Sequence, residues 1–282
     1  MNKLLLVLFV VLGILFVFFV PRMIEIYKPL DLKKITWSPI YDLSELDALY
    51  TAQGIEIYND YLFFTVHKQD KESHLIVFKI NNNKLSHIFT TSFPLVATHV
   101  SDLSVYKDFL YAIDYASNNL YKINIEKTLK NKKLFIENTV HTNIPRSGSI
   151  VVTSYNNKDI IMVSQFIVDK YIKVFNLDDL PNESKKPIFE IESKFFIQGL
   201  YNDNGNIYIT SNTNQTDPIF ITPKSILFET KTLTNKKTLS FEGPGNMIED
   251  IVLYNNHIIT SDEERNMIYI SKEKINDFSN RK

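Results

Sequence analysis

Polar and apolar positions recur along this chain in units that repeat from Gln53 onward. Each unit opens with a short polar motif that leads into an apolar strand, and in four units a second apolar strand starts eight residues later. The motifs recur at intervals of 46 to 51 residues and are Gln53-Gly54-Ile55, Ser101-Asp102-Leu103, Ser147-Gly148-Ser149, Gln198-Gly199-Leu200 and Glu249-Asp250-Ile251. A period of this length predicts a repeat architecture.

Each unit divides into four short strands separated by turn residues. In the second unit the predicted strands are Leu103–Tyr106, Phe109–Asp114, Leu120–Ile125 and Lys133–Glu137. Asparagine crowds the turns, where it tolerates positive φ. Four-stranded units of about 40 to 50 residues are typical of β-propeller blades. The predicted fold class is all-β, a five-bladed β-propeller, with a six-bladed ring as the alternative if residues 29–50 form a degenerate blade.

The last unit lacks a convincing fourth strand, because the residues after Met267–Ser271 are too polar. Residues 34–40 precede the first blade and are predicted to supply that strand, which would close the ring and remove its exposed edges. The predicted propeller therefore spans residues 34–275, with blades starting near 53, 101, 147, 198 and 249 and a tail at 276–282.

The N-terminus is an apolar segment of another kind. Leu4–Val20 is an unbroken run of 17 apolar residues, long enough as a helix to cross a bilayer at about 25 Å. We interpret residues 1–21 as a membrane anchor or signal and 22–33 as a linker. Bulky residues follow the run where a signal peptide would have a small-x-small cleavage site, which favours an uncleaved transmembrane helix.

Two sequence patterns give opposite indications of the side of the membrane on which the domain lies. Positive charges after the run, at Arg22, Lys28, Lys33 and Lys34, favour a cytoplasmic domain. Lys3 followed at once by apolar residues is how export signals begin. We predict an extracytoplasmic domain, periplasmic or at the cell surface.

Composition excludes several kinds of site. There is no cysteine, so disulfides, thiolate zinc sites and a cysteine nucleophile are all excluded. The formal net charge of −1 and a scarcity of arginine argue against nucleic acid as a partner.

Polar residues flank the first hairpin of each unit at the same end. The start of the first strand lies beside the end of the second in an antiparallel hairpin, so these residues are expected to ring one mouth of the central channel. Packing at a crowded axis also favours short polar residues there, which is the structural alternative. The predicted ligand-binding residues are Gln53, His67, Ser147, Gln198 and Asn212.

Acidic residues are concentrated in the second and fifth units. Converging carboxylates repel one another unless a cation or a proton intervenes, and calcium prefers oxygen ligands. We therefore predict calcium as a possible cofactor, with metal ligands Asp102, Glu249 and Asp250. Asp114 and Asp262, at the ends of the second strands, are the candidate catalytic bases.

Two local resemblances accompany this pattern. The stretch from Ser101 to Asp114 resembles a blade of the calcium-dependent apyrases, which are five-bladed propellers with a calcium ion in the channel. Those enzymes have a glutamate two positions before the serine and an Asp-Asp pair closing the second strand, where this chain has His99 and Asp114-Tyr115. Glu242-Gly243-Pro244 is similar to the opening of gluconolactonase-like propellers, in which that glutamate binds the metal. Jointly they imply the propeller superfamily.

Two functions from different classes fit this pattern. The first is a membrane-tethered binding module that presents the channel mouth to a protein, a glycan or a small ligand. The second is a calcium-dependent hydrolase of phosphate esters, phosphoanhydrides or lactones, in which the metal polarises the bond under attack. A scaffold in an envelope complex is a third, less specific interpretation.

Overall fold

The computed structural model describes residues 32–166, 170–180, 186–193, 195–203, 205–212, 217–233, 239–245 and 247–276. The predicted anchor, most of the predicted linker and most of the tail lie outside these ranges. Within them, no helix is long and apolar enough to cross a membrane. The described residues form five four-stranded antiparallel sheets, which confirms the five-bladed propeller.

Four blades are built from consecutive strands. The first blade contains β2 (Tyr50–Tyr58), β3 (Tyr61–Lys68), β4 (Glu72–Asn81) and β5 (Lys84–Ser92). The second contains β6 (Val100–Tyr106), β7 (Phe109–Asp114), β8 (Asn119–Asn124) and β9 (Ile136–His141). The third contains β10 (Ser147–Tyr155), β11 (Lys158–Gln165), β12 (Tyr171–Asn176) and β13 (Phe189–Glu192). The fourth contains β14 (Phe196–Asp203), β15 (Asn206–Asn212), β16 (Pro218–Pro223) and β17 (Leu239–Glu242).

The fifth blade joins the two ends of the propeller. It contains β18 (Ile248–Tyr254), β19 (His257–Asp262) and β20 (Met267–Ser271), and its outermost strand is β1 (Trp37–Asp42). This N-terminal strand begins three residues after the start of the predicted segment 34–40. Outside the pairing, the backbone N–H and the hydroxyl of Thr36 each donate to the Glu273 carboxylate at 2.8 Å.

Short helices interrupt two blades. α1 (Ile125–Asn131) follows β8, and α2 (Lys224–Thr230) follows β16. The side chain of Asn124 caps α1 by accepting from Lys127 N–H at 2.9 Å. Because α1 occupies the connection, the outer strand of the second blade begins at Ile136, three residues after its predicted start.

The turns use asparagine as the sequence predicted. Asparagines with positive φ stand at the hairpin turns of several blades, namely Asn82, Asn83, Asn156, Asn157, Asn255 and Asn256. These tight turns keep the paired strands in register.

The core lies between neighbouring blades. Side chains alternate across a strand, so Phe64 packs in a cluster with the fifth blade, whereas its neighbour Phe63 packs with the second. Both are fully buried. The second strand of the first blade is thus covered on both faces, which explains its apolar run from Leu62 to Phe64.

Candidate ligand-binding site at the channel mouth

A break in strand register marks the start of every inner strand. The pairing of β2 with β3 shifts between Ala52 and Ile55, and an equivalent shift occurs in each of the other four blades. Such a β-bulge leaves an unpaired residue and redirects its side chain. The first residues inside the five bulges are Gln53, Ser101, Gly148, Gln198 and Glu249.

All five bulge residues line one cavity of 270 Å³, which we call the mouth cavity. Its remaining lining comes from residues just before the inner strands or just after the second strands: His99, Tyr115, Phe166, Met247 and Glu263. The Tyr115 and Phe166 rings meet edge to face, with 6.2 Å between their centroids. The cavity therefore combines two carboxyl groups and two amides with an aromatic wall.

The acidic side of the mouth cavity belongs to the fifth blade. Burial and the neighbouring Glu263 carboxylate raise the pKa of Glu249 well above its usual range. The Gln198 amide donates to Glu249 Oε1 at 3.5 Å. A cation entering the cavity would relieve the repulsion between the two glutamates and favour the ionised form of Glu249.

In the second and fifth blades the residue that follows the cavity residue is an aspartate that faces a neighbouring blade instead of the cavity. Asp102 accepts hydrogen bonds from its own neighbour Leu103 N–H and from Ile150 N–H of the third blade, both at 2.7 Å. Asp250 accepts from Ile251 N–H at 2.7 Å and from Ile55 N–H of the first blade at 2.9 Å. Each aspartate thus ties two blades together through both carboxyl oxygens.

These two aspartates also contact each other. Burial and the nearby Asp250 raise the pKa of Asp102 well above its usual range, and the two carboxyl groups share a hydrogen bond. Burial raises the pKa of Asp250 to about 7. A shared proton therefore relieves the repulsion between them, and the contacts favour a structural role for Asp102 and Asp250. The predicted calcium site at these residues stays a prediction.

The two candidate bases lie beside the cavity and not in its lining. Asp114 accepts from His99 N–H and Ser117 N–H at 2.8 Å each, and also from the Ser117 hydroxyl. Asp262 occupies the same register position in the fifth blade and accepts from Arg265 N–H at 3.3 Å. Both carboxyl groups hold the turn that follows their strand, and in each case the next residue, Tyr115 or Glu263, lines the cavity.

The predicted ligand-binding residues are divided between several places. Gln53 and Gln198 line the cavity. Ser147 is fully buried and its hydroxyl donates to Ile144 O at 2.7 Å, while Gly148 lies at the mouth. Asn212 ends β15, and its side chain lies outside the described part of the chain.

His67 lies next to the cavity in a histidine pair. Its ring stacks on that of His99, with 4.4 Å between centroids. Burial, followed by the nearby His99, lowers the pKa of His67 to about 4. His99 Nδ1 lies 2.8 Å from Asp70 Oδ1, and its Nε2 lies 2.9 Å from Gln53 Oε1. His99, which lines the cavity, therefore also contacts Asp70 and His67 outside it.

No protein-family model matches this chain, and no curated protein matches it. Among solved structures, it is similar to the glutaminyl cyclase of Myxococcus xanthus, with TM-score 0.59, 10% identity, and coverage of 86% of this chain and 99% of that one. A chain in a mitotic checkpoint complex has TM-score 0.46 and 9% identity, covering 79% of this chain and 78% of its own. A chain in a nidogen–laminin complex has TM-score 0.46 and 7% identity, covering 80% of each. The first similarity supports the propeller fold alone, and the resemblance to apyrases is not shown.

Proposed function

We propose that this propeller is a binding module that takes a small organic cation into the mouth cavity. The observation that carries the proposal is that the bulge residues of all five blades converge on one cavity. The ring of blades brings equivalent positions to one space, and in this chain that space is lined by carboxyl, amide and hydroxyl groups beside two aromatic rings. Bulges are commonly found where a protein aims side chains at a ligand.

The lining favours a positively charged group over a neutral one. Glu249 and Glu263 supply adjacent carboxyl groups on one side, and the edge-to-face pair of Tyr115 and Phe166 supplies aromatic surface. Carboxylates and aromatic faces both attract ammonium groups. A lining of this kind fits an amine or a quaternary ammonium compound.

The size of the cavity favours a small molecule over the protein or glycan partners that the sequence left open. Its 270 Å³ lies near the lower end of small-molecule sites, which span about 300 to 1,000 Å³. A protein or glycan would bury only one residue or one sugar there. We further propose that the module is held at a membrane by residues 1–21 on the extracytoplasmic side, as the apolar run and Lys3 indicate.

The calcium-dependent hydrolase receives less support from the same geometry. Its predicted ligands Asp102 and Asp250 already accept two backbone N–H groups each, and its predicted bases Asp114 and Asp262 hold turns. A glutaminyl peptide belongs among the probes because the similar structure from Myxococcus xanthus is named a glutaminyl cyclase.

A binding assay with matched ligands tests the proposal. The full-length chain in detergent would be titrated calorimetrically with tetramethylammonium, a diamine, a glutaminyl dipeptide and a neutral analogue of each. We expect saturable one-to-one binding of a cationic probe, tightening as pH rises because Glu249 must lose its proton. Glu249→Gln should weaken binding by about tenfold or more, the loss expected for one charged hydrogen bond.

The control is Glu264, which follows the cavity residue Glu263 in the sequence. Glu264 is exposed and lies outside the cavity lining, so Glu264→Gln should leave the affinity unchanged. If no cationic probe binds, or if Glu264→Gln and Glu249→Gln have equal effects, the mouth cavity is not a cation site. Release of ammonia from the dipeptide would instead indicate an enzyme.

A further inference from the structure

Three side chains of types that can bind metals lie together beside the mouth cavity, and they come from two separate segments of the chain. His67 is the penultimate residue of β3, Asp70 lies in the following turn, and His99 precedes β6 of the next blade. One ligand atom from each side chain lies within 4.8 Å of the other two. Asp70 Oδ1 is 2.8 Å from His99 Nδ1 and 3.4 Å from His67 Nδ1. His67 Nδ1 also accepts Asp70 N–H at 3.2 Å, a hydrogen bond that an ion bound at this nitrogen would replace.

The backbone and the ring stacking hold these groups in place. Gln69 and Asp70 both have positive φ, which folds the turn back over the end of β3. The rings of His67 and His99 stack, and each has its Nδ1 near Asp70 Oδ1. Zinc–nitrogen and zinc–oxygen bonds are about 2.0 to 2.2 Å long, so one ion can reach donors separated by roughly 3 to 3.5 Å.

The second ring nitrogen of His99, Nε2, has the kind of hydrogen-bond partner that metal-bound histidines have. Such a histidine commonly donates its other ring N–H to an oxygen, which fixes the ring and leaves one nitrogen for the metal. His99 Nε2 lies 2.9 Å from Gln53 Oε1, and the Gln53 amide nitrogen in turn donates to Ala52 O at 2.6 Å. That second bond fixes which end of the amide faces His99, so the orientation of the ring is determined by the backbone of β2.

We propose that His67, Asp70 and His99 form a binding site for a divalent transition-metal ion, with zinc as the representative ion. Two imidazoles and one carboxylate suit zinc and its neighbours in the first transition row, whereas calcium and magnesium prefer oxygen ligands alone. Three protein ligands leave a coordination position for water or for a ligand, as in catalytic zinc sites. Since His99 also lines the mouth cavity, the ion would lie at the rim of that cavity.

Metal titration of the full-length chain tests this assignment. After treatment with a chelator, the protein in detergent would be titrated with Zn²⁺ by calorimetry and with Co²⁺ by visible absorption. We expect one ion per chain, a cobalt spectrum that Zn²⁺ abolishes, and no competition from Ca²⁺. Asp70→Asn and His99→Gln should each weaken Zn²⁺ binding by at least about tenfold, since even loss of an outer partner of a metal ligand costs that much.

The controls separate this site from adventitious binding and from misfolding. His87 is exposed and bonded only to Thr90 in the described part of the chain, so His87→Gln should bind Zn²⁺ as the unmodified chain does. The Asp70 side chain is 68% exposed, so Asp70→Asn should unfold in urea at the same midpoint as the unmodified metal-free protein. The proposal fails if no one-to-one binding occurs, if Asp70→Asn and His99→Gln bind normally, or if His87→Gln weakens binding equally.

Discussion

The carboxyl group of Asp102 in the second blade shares a hydrogen bond with that of Asp250 in the fifth, beside the inner strand of the first. Gly54 on that strand makes room for the contact, because a Cβ there would lie 2.6 Å from Asp102 Cα. The next residue, Ile55, donates its N–H to Asp250. Four of the five blades, the first, second, third and fifth, therefore meet at this pair of acids, beside a position where a Cβ does not fit.

Replacing that glycine should disrupt the ring. Gly54→Ala places a methyl group against the backbone of Asp102, which cannot move without breaking bonds to the third blade. We expect a loss of about 1 to 3 kcal/mol or more in the free energy of unfolding, measured in urea. Gly205→Asn is the control, because no atom lies within 4 Å of a Cβ there and asparagine tolerates its positive φ of 89°. Equal losses in both variants would contradict the role given to Gly54.

Stability should fall as pH rises toward 8. Burial raises the pKa of Glu56 to about 8 and that of Asp250 to about 7, from ordinary values of 4.5 and 3.8. The folded chain therefore holds protons that the unfolded chain releases, so this stabilisation is complete below about pH 4 and is lost as pH passes through 7 to 8. Each group contributes at most about 1.4 kcal/mol per pH unit.

Urea unfolding between pH 6.5 and 8 measures this effect, to which Asp102 and Glu249 add in the same direction because burial also raises their pKa values. Burial lowers the pKa of His67 from 6.5 to about 4, so its opposing contribution changes mainly below that window and fades out in its lower part. Glu56→Gln cannot titrate and should reduce the slope of unfolding free energy against pH. A free energy that is constant or rises across the window would show that these carboxyl groups are already ionised.

Removing the closing strand should abolish the cooperative fold. β1 is the outer strand of the fifth blade, and its loss would expose β20 as an unpaired edge, which promotes aggregation. A chain lacking residues 1–42 is expected to elute as aggregates in gel filtration and to show no sharp urea transition. The matched truncation lacks only residues 1–31 and should unfold as the longer chain does. If both truncations unfold alike, β1 does not hold the ring closed.

Added calcium should not change the stability of the chain through Asp102 and Asp250. Their oxygens are occupied by backbone N–H groups, so Asp102→Asn should destabilise the chain by about 1 to 3 kcal/mol through an unpaired N–H, equally with and without calcium. Thermal unfolding of both proteins with added Ca²⁺ or chelator measures this. A calcium-dependent rise in Tm that disappears in Asp102→Asn would support the hydrolase.

The repeat determined most of the fold from the sequence, because apolar strands and asparagine turns report local structure directly. The residues of the site were less predictable for a physical reason. A bulge inserts one residue, and a shift of one residue moves side chains to another face. Thus Ser101 and Gly148 line the cavity where Asp102 and Ser147 were expected, and Glu263 does so in place of Asp262.

The third blade shows the same effect in the alignment of the repeats. Ile150 pairs with Val163 as Ile55 pairs with Phe64, so Ser149, and not Gly148, corresponds to Gly54. The histidine group escaped prediction for a different reason. His67 and His99 belong to different blades, and no local spacing indicates that their rings stack. Tyr115 and Phe166, which follow second strands, had only their position next to a predicted strand end as a signal.

The bulges separate two tasks between adjacent residues. The unpaired residue of each bulge lines the mouth cavity, while the residue after it in the second and fifth blades, Asp102 or Asp250, bonds to a neighbouring blade. Selection can therefore exchange cavity residues such as Gln53 and Glu249 without touching the bonds that Asp102 and Asp250 make to other blades. In such a molecule, a new ligand preference can evolve by single substitutions on an unchanged frame.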